Sequence, residues 1–348
     1  MRSMIVALLF VLVAATPALI PMVAATSPGQ GFLSTQGTSI VNSYGRAVIL
    51  RGVNYPGYEV NFWSHEPQLH SQYTYYNFRQ LGFNVVRLPI SWANLEPQPG
   101  VFDTNYLRSF VDQDVQWAKA AGIYVILDMH QYFWADKFGG SGAPDWAVKG
   151  YPANELGLRQ AVSHFWADNT LQGHLLSVWT KLAQYYANEP AVAGYDLFNE
   201  PWVYTSIVPT LNATTVDAFY GKAIPAIRGV DKNHILFLEP ANLATFKLPV
   251  TNIVWSPHFY PLAYASKYYP QNFTLLQLDF EAKYKAFVIG IKAPMFIGEF
   301  GAFMPDKSSS VKWAQDALKL FKANNIGWAW WAFDPRTQLP SPLYSIGA

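Results

Sequence analysis

The chain has 348 residues, 51% of them hydrophobic, and a formal net charge of +1, with no run of like charges, which argues against nucleic acid or an anionic membrane surface as its main partner. Charged residues make up 14% and aromatics 16%, with 13 Trp and 21 Tyr; this suits a neutral ligand with flat apolar faces, or simply a large core rich in rings. The absence of cysteine excludes disulfides, thiolate metal sites and a cysteine nucleophile.

The N-terminus reads as a secretory signal. Arg2 gives a positive start, Ile5 to Ala15 an apolar run, Pro17 and Pro21 a break, and Val23-Ala24-Ala25 a small-residue cleavage site. Residues 1–25 are therefore expected to be removed and the protein secreted. Without cleavage the same segment would act as a membrane anchor. The sequons beginning at Asn212 and Asn272 are compatible with export.

Past Ser27 no linker or low-complexity tract interrupts the chain, so 31–348 is expected to be one catalytic domain. Residues 31–47 predict a β-hairpin with a turn near Tyr44-Gly45, placed to plug the base of a barrel. A strand–helix alternation follows. The apolar runs 48–54, 84–90, 124–130, 192–200, 235–239, 253–260, 295–300 and 328–334 predict strands buried on both faces. Amphipathic stretches at 68–81, 105–121, 171–187, 214–228, 274–290 and 309–324 predict the helices between them. Eight strands with interleaved helices predict an α/β (β/α)8 barrel rather than an open doubly wound sheet. The connection 241–252 is too short and rich in Pro and Asn for a full helix. The stretch 131–168 reads as a long excursion from the C-terminal end of strand three, the end at which barrels carry their active sites.

Polar residues gather at those strand ends. They are Arg87 on strand two, Asp128 and His130 on three, Asn199 and Glu200 on four, His258 and Tyr260 on six, Glu299 on seven, and Trp330-Trp331 on eight. Each has an ordinary reading alone, since a strand-end Glu often serves only the first turn of the next helix. A shared rim changes this, because burying Arg, two His and two Glu together is costly without a function. Glu200 and Glu299 are then expected to face each other across the barrel. Paired carboxylates are what glycoside cleavage needs, one protonating the leaving oxygen and the other attacking the anomeric carbon. An ionised Glu299, supported by Arg87 and Tyr260, is expected to raise the pKa of Glu200. The Asn199 amide is placed to bond a sugar hydroxyl, and Trp331 to stack on a sugar ring. No His-x-x-x-His metal pattern, Gly-x-Ser-x-Gly elbow, Walker loop or Gly-x-Gly-x-x-Gly motif occurs, so neither a metal nor a nucleotide cofactor is expected.

With those residues in place, the chain resembles glycoside hydrolase family 5, the cellulase-type family, over roughly residues 31–335. The matching stretches are Leu50–Asn54, Val86–Pro89, Leu127–His130, Asp196–Pro201, Pro257–Tyr260 and Ile297–Gly301. The resemblance implies Glu200 as acid/base, Glu299 as nucleophile, and Arg87, His130, Asn199, His258, Tyr260 and Trp331 as the supporting shell. It also implies Trp331 rather than Trp330 as the subsite tryptophan.

Within the family, Arg51–Glu59 and the Phe333-Asp334-Pro335 ending are similar to endo-β-1,4-glucanases. The insert after His130 and the stretch Phe165–Asn169 resemble endoglycoceramidase-like members. Tyr132 departs from that subtype by standing where an acidic residue usually follows His-Gln, and the C-terminal β-domain those members commonly append is not expected here. The sequence thus leads to an expected secreted, retaining, cellulase-type endo-β-1,4-glucanase acting on a carbohydrate. The alternatives are a glycolipid hydrolase, a β-mannanase and, outside enzymes, a non-catalytic sugar-binding barrel.

Overall fold

A computed structural model describes residues 31–59, 70–201, 203–208, 211–239, 251–260, 269, 273–285, 292–302, 307–334 and 339–340. The signal segment, most of the 241–252 connection and nearly all of the chain after Asp334 lie outside them. Strands β1 (Ser34–Gln36) and β2 (Ser39–Val41) form an antiparallel hairpin. Its tight turn is at Gly37-Thr38, and the expected Tyr44-Gly45 turn follows as a second one, closed by the Gly45 N–H donating to Asn42 O at 2.9 Å. Leu33 and Ile40 pack against Val85, Ile126 and Phe237 from the barrel strands, so the hairpin plugs the barrel floor as expected.

The barrel is built from β3 (Arg51–Asn54), β4 (Val85–Ile90), β5 (Tyr124–Met129), β6 (Val192–Asp196), β7 (Ile235–Leu238), β8 (Ile253–Trp255), β9 (His258–Phe259), β10 (Phe296–Phe300) and β11 (Gly327–Trp330). They pair in the order β8-β7-β6-β5-β4-β3-β11-β10-β9, every pair parallel. The two ends of this order are one stretch of chain, β8 and β9 being joined by Ser256-Pro257. That stretch is the sixth barrel strand, and a bridge from Trp255 to Met295 completes the closure. Eight strands close the barrel, as read from the apolar runs. The runs overreach at their ends, where polar residues leave the ladder for the rim. The expected 328–334 strand stops at Trp330, and Phe333–Asp334 pairs instead with Leu339–Pro340 in a separate antiparallel pair.

Helices α1 (Gln72–Gln80), α2 (Asp112–Ala121), α3 (Glu155–Ala167), α4 (Asn169–Tyr186), α5 (Ala213–Arg228), α6 (Phe273–Phe280) and α7 (Lys307–Ala323) cover the barrel. Oxygen-bearing side chains start several of them: Ser71, Asn154, Asp168 and Asn212 each accept from a first-turn backbone N–H. The expected 105–121 helix is present but passes through a wide turn over Leu107–Val111. Helix α3 corrects the reading of 131–168 as one long loop. Thirteen of those residues form a regular helix, with Leu158, Ala161, Val162, Phe165 and Trp166 buried.

Candidate active site

Successive residues of a strand face opposite sides, and this alternation carries polar groups into the barrel above its apolar floor. Val85 lies in the floor and Arg87 one step higher. Ile126 leads in the same way to Asp128 and His130, Phe237 to Glu239, and Val254 to Ser256 and His258.

Arg87 is fully buried at the centre of this layer. Its Nε donates to Asp196 Oδ2 at 3.0 Å. Nη1 donates to Glu299 Oε1 at 2.9 Å and to Asn54 Oδ1 at 3.0 Å. Nη2 donates to Asn199 Oδ1 at 3.0 Å and Glu239 Oε1 at 3.3 Å, and lies 2.9 Å from Asp128 Oδ1. Burial works against the guanidinium charge, but Asp128, Asp196, Glu299 and Glu239 outweigh it and hold Arg87 firmly protonated. The same burial pushes Asp196 up to about 6, with Arg87 opposing.

Glu299 accepts on both oxygens, from Arg87 on Oε1 and from the Tyr260 hydroxyl on Oε2 at 3.1 Å. Glu200 is reached differently. Its backbone sits in the left-handed region, φ +46°, a conformation that costs a non-glycine residue about 1–3 kcal/mol. Its N–H donates to Glu239 Oε2 at 3.0 Å, which fixes that turn. His258 Nδ1 lies 2.8 Å from Glu200 Oε1 and 3.4 Å from Glu299 Oε2, so one imidazole stands between the two carboxylates. Its other nitrogen, Nε2, lies 2.9 Å from Glu239 Oε1 at an angle short of a hydrogen bond.

Glu200 follows the fourth barrel strand and Glu299 lies on the seventh. These strands are three steps apart rather than opposite, and the sixth strand sends His258 into the gap. That corrects the expected protonation pattern. Burial alone would raise Glu200, but the His258 hydrogen bond and charge outweigh it and hold the carboxyl below its ordinary value. Burial also opposes the His258 charge, yet Glu239 and Glu299 beside it keep the imidazole well above the usual histidine range. Glu239 carries the raised carboxyl, pushed by burial to about 8 against the attraction of His258.

The remaining expected residues join the same rim. His130 Nδ1 lies 2.8 Å from Asp128 Oδ2, and its ring stacks on Trp331 at 5.2 Å and 9°. Burial opposes the His130 charge, but Asp128 outweighs it and raises the pKa. Trp330 is buried against Phe300 at 5.0 Å, so Trp331 is the tryptophan at the rim. Asn199 Nδ2 donates to Gln131 O at 3.2 Å. Its oxygen is committed to Arg87, so the second N–H of the amide is the one left to meet a ligand. All eight expected residues are thus brought together.

Asn54, Asp128, Asp196 and Glu239 complete the cluster beyond them. The pattern Ile235-x-Phe237-x-Glu239 carried the signal for the last, since two inward apolar residues precede the acid.

The aromatic rings of the insert divide. Trp134 is buried, 4.8 Å from Phe165, and Trp146 packs on Trp92 at 5.4 Å while donating to Glu96 O at 2.9 Å. Phe133 is exposed and, with Phe138 and Leu158, lines an open groove of about 460 Å³. Phe133 and Trp134 both have positive φ, 47° and 68°. Tyr132, also exposed, lies close enough to Glu200 for that charge to add to burial in raising its phenol pKa.

Among the described residues, only Glu200, His258 and Glu299 bring three possible metal ligands within 4.8 Å of one another. The fit to an ion is poor. His258 Nδ1 is already at hydrogen-bonding distance from Glu200, and the Arg87 guanidinium occupies the far side of Glu299. The spacing of the two carboxylates around a bridging imidazole instead suits proton transfer.

A closed barrel with two carboxylates converging on a rim of Arg, His, Tyr and Trp is the architecture of a glycosidase. Residues 41–337 match the family model described as Cellulase (glycosyl hydrolase family 5), and the chain belongs to that family. It is 28% identical to endoglycoceramidase I of Rhodococcus hoagii, over 86% of this chain and 68% of that one. It is 24% identical to an endoglucanase of Paenibacillus polymyxa, over 91% and 83%. Against three endoglycoceramidase relatives, the chain spans between 48% and 68% of their length. Among solved structures, an endogalactoceramidase superposes with TM-score 0.74 at 26% identity, covering 91% of this chain and 82% of that one. Endo-glycoceramidase II from Rhodococcus sp., described as a lactosyl-enzyme intermediate, gives 0.68 at 25%, covering 84% and 74%.

Proposed function

We propose that this family 5 enzyme hydrolyses a β-glycosidic bond with retention, Glu200 serving as acid/base and Glu299 as nucleophile. The observation that carries this reading is the separation of the two carboxylates, whose oxygens approach within 4.8 Å. Retaining enzymes hold the pair about 5–5.5 Å apart, whereas inverting enzymes need about 6.5–9.5 Å to admit a water. In the first half-reaction Glu299 attacks the anomeric carbon while Glu200 gives its proton to the departing oxygen. In the second, water attacks the glycosyl–Glu299 ester and yields its proton to Glu200, and the Glu299 carboxylate leaves. Arg87 and Tyr260 compensate the charge that returns to Glu299, and Trp331 offers its face to the sugar. Glu200→Gln is expected to lower kcat on an aryl β-cellobioside by about 10²–10⁴-fold, and Glu299→Gln by at least as much, both with unchanged circular dichroism. Full activity in either variant would sink the assignment.

For the substrate, the reading best supported is endo-cleavage that frees an intact oligosaccharide from a glycolipid. The relatives named endoglycoceramidase favour it, as does Tyr132, whose phenol feels the Glu200 charge and whose ring meets Phe133 at the edge of an open groove. A second reading, β-1,4-glucan, rests on the endoglucanase relative. Incubation with glycosylceramide, β-1,4-glucan and mannan separates them. Intact oligosaccharide released from ceramide, with glucan untouched, is the expected outcome, and the reverse overturns it. Export is proposed with the same activity, from Arg2, the Ile5–Ala15 run and Val23-Ala24-Ala25. N-terminal sequencing of secreted protein should then begin near residue 26.

A further inference from the structure

Glu59 is a buried acid at the barrel mouth that the glycosidase chemistry leaves unused. Beyond β3 the chain rejoins the sheet at Tyr58, which bridges Ile90 in parallel, and Ile90 pairs with Met129. Tyr58, Ile90 and Met129 therefore form one row across the first three barrel strands, all buried in the core. The Tyr58 ring points outward, onto Tyr106 and Phe110 of the helical segment outside the barrel. Successive residues along a strand face opposite sides, so one step higher Glu59, Ser91 and His130 turn into the mouth. The His130 N–H, donating to Ile90 O at 2.8 Å, laces that upper row to the one below.

Ser91 is spent on a helix start, its hydroxyl accepting from the Asn94 N–H at 3.2 Å. The other two keep capacity for a ligand. Glu59 Oε2 accepts from the Gly57 N–H at 2.7 Å, and among the described residues no side chain donates to the carboxylate, which has about four acceptor sites. His130 commits Nδ1 to Asp128, and among the described residues its Nε2 meets no partner. Trp331 lies flat on the same imidazole. An acceptor and a donor thus share one row beside the tryptophan that offers its face to the sugar. Burial raises the Glu59 carboxyl, opposed first by the charge of His130, so the two groups act on each other across the row.

A carboxylate only accepts, so its partner must donate, and a sugar hydroxyl does. In a β-1,4-linked sugar, carbon 1 carries the bond to be cut and oxygen 4 carries the next ring. The 2-hydroxyl, next to the reacting carbon, falls to the Asn199 amide beside Glu200. Positions 3 and 6 remain. We propose that Glu59 is a specificity-determining residue, its carboxylate accepting a hydrogen bond from the 3- or 6-hydroxyl of the sugar that lies on Trp331.

This inference rests on the reading of the site as a β-glycosidase, and the experiment tells the two failures apart. p-Nitrophenyl β-cellobioside is compared with its 3-deoxy and 6-deoxy forms, altered in the sugar that carries the nitrophenol, in the unmodified enzyme and in Glu59→Ala. In the unmodified enzyme one deoxy substrate is expected to lose about ten- to a hundredfold in kcat/KM, the range for a hydrogen bond to a charged group. In Glu59→Ala the parent substrate should fall by a similar factor, and that deoxy penalty should shrink below about threefold. No deoxy penalty in the unmodified enzyme, or one equally large in Glu59→Ala, would leave the carboxylate only its turn with Gly57 and overturn the proposal. If Glu59→Ala fails to fold, Glu59→Gln decides. Its oxygen still accepts the Gly57 N–H and its N–H turns to the sugar, so the fluoro analogue at that position, which accepts but cannot donate, should be cleaved faster than the deoxy one. The unmodified enzyme should show the reverse order, and the same order in both contradicts the contact. Failure of the underlying reading shows separately, as a parent cellobioside left uncleaved or cleaved at full rate by Glu200→Gln, and it takes this inference with it.

Discussion

Arg87 touches four carboxylates, Asp128, Asp196, Glu239 and Glu299, from a position with no solvent contact. Their attraction offsets the desolvation of a buried cation only because the planar guanidinium meets several acceptors at once. A lysine ammonium is a single point and cannot. Arg87→Lys is expected to lower unfolding stability by about 3–5 kcal/mol, the typical cost of breaking a buried ion pair, as read by denaturant titration. A loss below 1 kcal/mol would show that the cluster relaxes around lysine.

Arg87, Glu200, His258 and Glu299 were readable in the sequence as polar residues in or just after apolar runs, whereas Asp196 and Glu239 were passed over as part of theirs. Protonation was not readable. It depends on an imidazole arriving from a third strand, and the expected raising of Glu200 by Glu299 gives way to a lowering by His258.

The insert after β5 uses strain to expose one ring, Phe133, and bury the next, Trp134. Phe133 and Trp134 occupy left-handed backbone, and a short hairpin closes around them, with Ser141 N–H donating to Tyr132 O at 2.7 Å and Ala143 N–H to Trp134 O at 2.7 Å. Gly140 makes that closure possible, since a Cβ there would lie 1.8 Å from Tyr132 O. Gly140→Ala should displace Tyr132 and Phe133 while leaving the barrel intact. Its expected mark is a raised KM for glycosylceramide with kcat on an aryl β-glycoside little changed; an unaltered KM would deny the insert any part in binding the leaving group. The reading of 131–168 as a loop failed at α3 because Gly139 to Pro144 and Pro152 punctuate the stretch. The Asn154-Glu155 start and the buried spacing of Leu158, Ala161, Val162 and Phe165 lie beyond them.

The whole barrel carries a pH signature. Glu239 and Asp196 bind a proton more tightly when folded, about 8 and about 6 against ordinary values of 4.5 and 3.8. Their contribution is complete in acid below those ordinary values and is lost as pH rises through 6 and then 8. Glu200 works the other way, contributing above its ordinary value and losing that as pH falls. The unfolding midpoint should therefore decline between about pH 6 and 8. Glu239→Gln should flatten that decline, and an unchanged slope in a pH series of melting curves would contradict it. The eight strands were readable because a covered parallel sheet is apolar on both faces. The short ladder ends and the break in the sixth strand were not, since they follow from which neighbour each residue meets.

That break has a mechanical consequence. Ser256 N–H still donates to Leu238 O at 2.9 Å, but Pro257 has no N–H to offer. Beyond it, among the described residues, the strand pairs with β10 alone, His258 lying in register with Glu299. The ring is thus anchored on the nucleophile's side and reaches across an unlaced gap toward Glu239 and Glu200. An outward displacement of β7 at this seam would lengthen the His258–Glu239 distance of 2.9 Å while the β9–β10 register keeps His258 beside Glu299.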